Sequence, residues 1–419
     1  MSIKVRYKGS FDWVLILIYL ALVFIGWLSI YSTTYDPQIT EFFNLSNLYF
    51  KQLLWIGFGF ALIVFILSLE VKFIERFSSL FYLIALVFLL GLFLFGKSIN
   101  GATSWYSIGP LTLQPSEFAK AATALALAKY LSDLQTDLKT LKGQLNALVL
   151  IALPALIILP QPDPGSALIY TAFFFPLYRE GLAGVYLFVG FSLIVLFIST
   201  LLFGVTAISI STLLIGATLF YLNRKKRPSK QIYIGAIIVS CVFSLSVNYI
   251  FENIFEQRHR DRFNIALGKE TDTQSIGYNT LQSKIAIGNG GWSGQGFLQG
   301  TQTTGDFVPE QETDYIFSAV GEEWGFLGSL LVVVLFVALI IRILQLSERQ
   351  KNEFSRIYGY GVAGILFIHF AVNIGMVTGL LPTVGIPLPF FSYGGSGLWA
   401  FTILLFIFVK LDSNRVNEW

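Results

Sequence analysis

Three short polar stretches in an otherwise apolar chain hold side chains that could do chemistry. Val308-Pro309-Glu310-Gln311-Glu312-Thr313-Asp314 brings carboxylates to the threshold of an apolar segment that also contains Glu322 and Glu323. Crowded carboxylates repel, which raises at least one of their pKa values if they are buried together and makes a usable general base. Asp314 stands at the entry to the segment, where an ionisable group has to be hydrated, paired or functional. The same residues also read as solvated Glu310 and Glu312 followed by a helix cap at Thr313 or Asp314. In Gln114-Pro115-Ser116-Glu117-Phe118-Ala119-Lys120, Pro115 suits the first turn of a helix, and Glu117 and Lys120 lie three apart on one face. An ion pair there fits a site or a scaffold equally well. In Gln161-Pro162-Asp163-Pro164-Gly165-Ser166, Asp163 is placed to cap a following short helix or to face an internal polar cavity.

The elements that must hold these residues are membrane spans. Of 419 residues 55% are hydrophobic and only 13% charged, against about 25% charge in a soluble domain. The reading is an all-α polytopic membrane protein, a single transmembrane domain over 1–419. Apolar segments fall near 11–31, 52–69, 77–95, 115–131, 143–159, 164–178, 183–201, 204–222, 231–250, 314–343, 358–378 and 387–410, about twelve spans. Those at 115–131 and 164–178 are short or polar enough to be tilted, broken or enclosed by protein. The seventh and eighth should form a tight hairpin around 201–205. The first run, Phe11–Tyr31, is span-length without a small-residue cleavage site, so it is expected to stay as a span. With the N-terminus inside, 20 Lys and Arg fall on the inner side and 7 on the outer, with Lys120 inside a helix. Both termini are therefore expected in the cytoplasm and the polar stretch 251–313 outside. A net charge of +3 does not suggest nucleic-acid binding, and the one cysteine, Cys241, excludes an intrachain disulfide.

Within 251–313, Phe255–Leu267 is amphipathic, with Phe255, His259, Phe263 and Leu267 on one stripe that could lie on a membrane surface. Thr280–Ile287 reads as a further short helix. Six glycines then crowd into 288–300, interleaved with Asn289, Trp292 and Gln295 and followed by Gln302, which fits a binding loop better than a spacer. Near the end, Leu380–Gly397 carries Pro382, Pro387 and Pro389 before Ser392-Tyr393-Gly394-Gly395-Ser396-Gly397, a broken re-entry whose non-helical backbone must line protein or a cavity. No Walker A loop, dinucleotide fingerprint, serine elbow or zinc-ligand spacing is present, and neither His259 nor His369 has metal-ligand neighbours in sequence.

These motifs together resemble the SEDS family (shape, elongation, division and sporulation proteins), in particular its rod-shape glycosyltransferase branch. The resemblance rests on QPSE with Lys120, QPDPGSA, GTQTTGDFVPEQETDYIF, GEEWGFLG and GLLPTVGIPLPFFSYGGSG. It implies a helical bundle whose family core has ten spans, so 204–250 would be an added hairpin. It implies polymerisation of lipid II into β-1,4 glycan strands with release of undecaprenyl pyrophosphate, at the outer face of the bacterial inner membrane during cell elongation. Asp314 takes the place of the family's essential acid, a general base, with Lys120 and Glu117 as further catalytic groups. Asp163, Lys51, Gln114, Ser116, Gln302, Glu310, Ser392, Gly394, Gly395 and Ser396 become substrate-binding candidates. The implied partners are lipid II and the nascent glycan strand, a class B penicillin-binding protein (a monofunctional transpeptidase), the elongation machinery and membrane lipid. A divalent cation, Mg2+ or Mn2+, is left open, and no other cofactor is implied. Other readings are a flippase for lipid-linked wall precursors and a non-catalytic scaffold for the transpeptidase. Two departures stand out: Glu312 where the family often has His, and Gly101-Ala102-Thr103-Ser104-Trp105 where it usually has Arg before the Trp.

Overall fold

The computed structural model describes residues 11–35, 43–99, 101–109, 111–224, 229–253, 255, 257–269 and 276–415. Lys4, Arg6 and Lys8, and Lys225, Lys226 and Arg227 of the basic run, lie outside them. The helices are α1 Trp13–Thr34, α2 Leu48–Ser68, α3 Val71–Phe95, α4 Pro115–Leu131, α5 Leu141–Ile158, α6 Pro164–Leu168, α7 Phe174–Arg179, α8 Val185–Asn223, α9 Lys230–Asn253, α10 Gln257–Ala266, α11 Ile276–Gly290, α12 Thr301–Thr304, α13 Ile316–Glu348, α14 Glu353–Val377 and α15 Gly395–Asn414. Nine of the described helices are long and apolar enough to cross a membrane. Residues 1–182 with 279–419 form one compact unit and 183–278 another.

The first unit is organised around α4. That helix has only 17 residues and carries Glu117, Lys120 and Lys129, yet nearly all of it is buried. Its Ala-rich face, Ala119 to Ala128, lets α3, α14 and α15 approach closely, as small residues do where lipid offers no competing hydrophobic drive. The 164–178 segment is broken, as its composition predicts: α6, a 3-10 stretch Ile169–Phe173, then α7. At one end of this unit, Arg342 and Arg349 near the end of α13 reach Asp12, which caps α1, and Arg349 also binds Asp412 in α15 at 2.6 Å. The beginning of the first helix and the end of the last therefore share one end of the bundle.

Three features depart from the sequence reading. The fold is not purely helical: Lys97–Ile99 (β1), Ala102–Ile108 (β2) and Leu111–Leu113 (β3) form an antiparallel meander in chain order. An Asn-Gly pair at 100–101, with Gly101 at φ 81, is the hairpin signal behind it. The last helix begins at Gly395, not 387, because Pro387 and Pro389 interrupt the ladder and Phe390 and Gly394 take positive φ. The glycine-rich stretch, read as a binding loop, also packs its backbone against a helix break. α13 breaks at Gly325 (φ 65), and the freed backbone groups are taken up by this stretch: Phe326 N donates to Gly291 O, Leu327 N to Trp292 O, Gln295 N to Glu322 O and Gly296 N to Glu323 O. A Cβ at Gly290 would sit 1.9 Å from the Gly321 carbonyl oxygen, and one at Gly294 2.1 Å from that of Glu323.

In the second unit α8 turns back on itself at Gly204 (φ 81). Thr200 bonds to Ser244, and Thr212 lies 4.0 Å from Cys241. Ser244 and Cys241 are about one turn, roughly 4.5 Å, apart on α9, whereas twelve residues of straight helix from Thr200 to Thr212 would span about 18 Å. Only a reversal at Gly204 meets both contacts, which is the hairpin expected around 201–205. Phe263 of α10 packs on Phe197 and Phe251, so its apolar stripe is at least partly used within this unit.

Candidate active site

The site starts from α4. Gln114 precedes the helix, Pro115 opens it without wasting a donor, and Glu117 and Lys120 follow on one face. Lys120 is only 1% exposed; its ammonium lies 2.7 Å from Glu117 Oε1 and 2.8 Å from His369 Nε2, and 5.1 Å from the centre of the Phe401 ring. A charge enclosed this deeply needs both neutralisation and hydrogen bonding, and here it has both. Glu117 is 5% exposed, and its Oε2 is buried with no hydrogen-bond partner among the described residues. Glu117 lines a small cleft of about 50 Å³ together with Gln114, Trp105, Ser392, Gly394 and Ser396. Lys120 sits behind Glu117 and is not part of the cleft wall.

Asp163 caps α6: its Oδ1 accepts from Ser166 N at 3.0 Å, and its Oδ2 from Ser166 Oγ at 2.8 Å and Gln114 Nε2 at 3.1 Å. Ser116 is buried and within 3.4 Å of the Ser166 hydroxyl. Asp163 and Ser116 thus orient the start of α4 from behind. Gly394 N donates to Gln52 Oε1, and Gly395 sits against the Trp55 ring, where a Cβ would come within 3.0 Å. Lys51 is half-buried in the first turn of α2, beside Gln52, and does not line the cleft.

Asp314 is half-buried just ahead of α13, in a segment stitched to the broken re-entry. Ser392 Oγ donates to Thr313 O at 2.6 Å, Tyr393 N donates to Glu312 O at 2.8 Å, and a Cβ on Gly385 would lie 3.3 Å from Asp314 Oδ2. The re-entry therefore has one edge on Asp314 and another in the cleft beside Glu117. Burial, with repulsion from Glu310 and Asp306, raises the Glu312 carboxyl above the usual carboxylate range. Glu310 itself is exposed and accepts from Thr313 Oγ1.

Gln302 is drawn elsewhere. Its backbone N–H donates to Glu322, a fully buried carboxylate that also accepts from Thr303 N at 2.8 Å and from the hydroxyls of Thr301 and Thr303. Glu322 thus accepts from the N-terminus of α12, and Glu323 next to it accepts from Ser32 Oγ and Leu298 N. These two acids pin the segment 298–303. The sequence reading passed over Asn373 and Gln52, weighed His369 only as a metal ligand, and gave no role to Gln311, whose carboxamide donates to Thr33 O and Thr303 O. His369 and Asn373 stand four apart in the apolar second half of α14, and that spacing was the available signal. Among the described residues no group of three or more His, Cys, Asp or Glu side chains could hold a metal ion.

The fold and the site define a polytopic α-helical membrane protein with a charged pair enclosed in its bundle beside a narrow cleft. The chain belongs to the FtsW, RodA and SpoVE family of cell cycle proteins, whose model matches residues 12–233 and 210–417. It is 33% identical to the peptidoglycan glycosyltransferase RodA of Treponema pallidum over 441 residues, covering 99% of this chain and 100% of that one. It is also 33% identical to the peptidoglycan glycosyltransferase MrdB of Escherichia coli K12 over 343 residues, covering 82% and 80%. A solved structure described as structural coordination of polymerization and crosslinking by a peptidoglycan synthase complex superposes with a TM-score of 0.73 at 25% identity, covering 98% of this chain and 99% of that one.

Proposed function

We propose that this protein is a peptidoglycan glycosyltransferase of the bacterial inner membrane that polymerises lipid II with inversion at its extracytoplasmic face. The observation that carries the reading is the re-entry 385–396, which joins the Asp314 segment to a cleft walled by Glu117. In the proposed step Asp314 accepts the proton of the acceptor GlcNAc 4-hydroxyl. That oxygen forms a bond to C1 of the donor MurNAc as the C1–phosphate bond breaks, its electron pair leaving with undecaprenyl pyrophosphate. A single displacement turns the α-linked donor into a β-1,4 product.

The cleft is small, at about 50 Å³, so in this reading a disaccharide substrate enters by widening it. Contact between the leaving pyrophosphate and Lys120 requires that opening to pass Glu117 and Phe401; until then Lys120 acts through Glu117. On the other flank of α4, an apolar groove of about 460 Å³ is lined by α2, α3, α4 and α15, with Pro115 and Phe118 bracketing Glu117. Its chemistry suits the prenyl chain, each buried methylene of which contributes about 0.8 kcal/mol. A divalent cation finds no cluster of three ligands among the described residues, so no step is assigned to one. The partner in this reading is a class B penicillin-binding protein of the elongation machinery, in keeping with the synthase complex that the fold resembles. The nine long helices, with α8 counted twice, α4 and the broken 164–179 segment would give twelve crossings, 204–250 being the added hairpin and both termini cytoplasmic.

The test separates synthesis from transport. Purified protein in detergent, where no leaflets exist, is given lipid II; glycan strands that a muramidase degrades support the reading. Transfer of lipid II between leaflets of vesicles, with no new glycosidic bond under either condition, would make the protein a flippase. Wall synthesis that persists without any activity of this chain, provided the transpeptidase still binds it, would make it a scaffold.

A further inference from the structure

Two polar side chains on α14 tie together the halves of the site. His369 is 1% exposed and makes two contacts: Nε2 with the Lys120 ammonium at 2.8 Å and Nδ1 with the Pro387 carbonyl at 3.3 Å. A carbonyl only accepts, so Nδ1 carries the proton and Nε2 presents a lone pair to the ammonium. One turn along the same face, Asn373 is fully buried, and its carboxamide donates to the Asp314 carbonyl at 2.9 Å and to the Ile386 carbonyl at 2.7 Å. His369 therefore holds α4 and Pro387, while Asn373 holds the Asp314 backbone and Ile386. Residues 386 and 387 are adjacent in the re-entry, so α14 fixes Lys120, the re-entry and Asp314 to one rigid element.

We infer that His369 and Asn373 are positioning residues that set the separation between Asp314 and the Glu117–Lys120 pair, His369 by accepting from Lys120 and Asn373 by clamping the Asp314 carbonyl to the re-entry. The inference rests on the glycosyltransferase reading for its kinetic consequence and on geometry alone for its contacts. Three further observations agree. Phe401 stands edge-on to the His369 ring at 4.8 Å between centroids and also covers Lys120, which keeps the imidazole in one orientation. No described carboxylate other than Glu117 forms an ion pair with Lys120, so His369 supplies the second hydrogen bond the enclosed ammonium needs. Gly385, next to the clamped carbonyl of Ile386, has φ 71 and leaves Asp314 Oδ2 the space that a Cβ would enter. A displacement of about 1 Å in such a constellation costs on the order of a hundredfold in rate.

The experiment uses full-length protein. His369→Leu is expected to lower the turnover of lipid II polymerisation at least tenfold, with KM changed less than twofold. His369→Gln, which keeps an acceptor for Lys120, should recover most of that loss, and Asn373→Leu should match His369→Leu. Wild-type turnover in His369→Leu, or no recovery in His369→Gln, overturns the inference while wild-type polymerisation leaves the glycosyltransferase reading standing. A second measurement does not depend on activity. The chain has two histidines, so 15N-histidine labelling of a His259→Asn protein isolates the His369 ring. The expected spectrum is an Nδ1–H tautomer whose Nε2 resonance moves in Lys120→Met. An Nε2–H tautomer, or an Nε2 resonance unmoved by Lys120→Met, refutes the contact. If wild-type protein makes no polymer, the functional reading fails and this spectrum still decides the geometry.

Discussion

Lys120→Met isolates the energetics of the enclosed pair. Methionine keeps much of the apolar stem, so the change removes the charge and its hydrogen bonds with little loss of packing. What remains is a Glu117 carboxylate, 5% exposed, that has lost its 2.7 Å partner and whose Oε2 already lacked one among the described residues. Breaking a buried pair from one side costs about 3–5 kcal/mol. Glu117→Gln leaves the ammonium uncompensated and should cost a similar amount. The double variant Glu117→Gln/Lys120→Met removes both charges and should cost less than either, about 1–3 kcal/mol for the His369 Nε2 left without its donor. Unfolding entropy of about 2 cal/mol/K per residue puts a chain this long on the order of 1 °C per kcal/mol. Each single variant should then melt roughly 3–5 °C below wild type in detergent, and the double roughly 1–3 °C below. Single variants within about 1 °C of wild type, or a double whose loss equals the sum of the two, would refute the idea that Glu117 and Lys120 act as one neutralised unit.

Glu322→Ala deprives two backbone N–H groups and two hydroxyls of their acceptor, so the segment 301–311 should gain fast hydrogen exchange and protease cleavage while the helices stay protected. Glu312→Gln should change the pH dependence of stability. The carboxyl is raised in the fold, so its contribution is most favourable below the unfolded value of about 4.3 and is lost as pH rises through the folded one. The Gln variant should therefore gain stability relative to wild type as pH rises to neutrality and match it in acid, as read by melting temperature across pH.

Much of the site was legible because the membrane makes polar residues conspicuous. Glu117, Lys120 and Asp163 stood out as charges beside prolines in apolar runs, and the fold places Glu117 on the cleft with Lys120 and Asp163 behind it. Ser392, Gly394 and Ser396 were readable as a compact polar ending, since proline-broken backbone at that depth has to face protein or a cavity. What could not be read was pairing across long separations. Glu322 and Glu323 were readable only as acids inside the following span, and their partners are supplied by Ser32 and residues 298–303. Gln302 looked like a loop ligand because nothing local shows that its N–H would be spent on Glu322. The glycines of 288–300 were readable as permitting close backbone approach, as in a binding loop, but not that the backbone they admit is the break at Gly325. The meander at 97–113 was missed because the segment read only as a polar loop between two apolar runs, and strands of 3, 7 and 3 residues show too little alternation to stand out.

The most direct measurement compares lipid II polymerisation by wild-type protein and Asp314→Asn, purified side by side with matched melting temperatures. Asparagine keeps the shape of the side chain and the backbone carbonyl that Asn373 holds, and removes the charge and the capacity to take a proton. Loss of at least a hundredfold in polymer formed, at unchanged melting temperature, is the predicted result. Polymerisation by Asp314→Asn within a few-fold of wild type would contradict the assignment of Asp314 as the base.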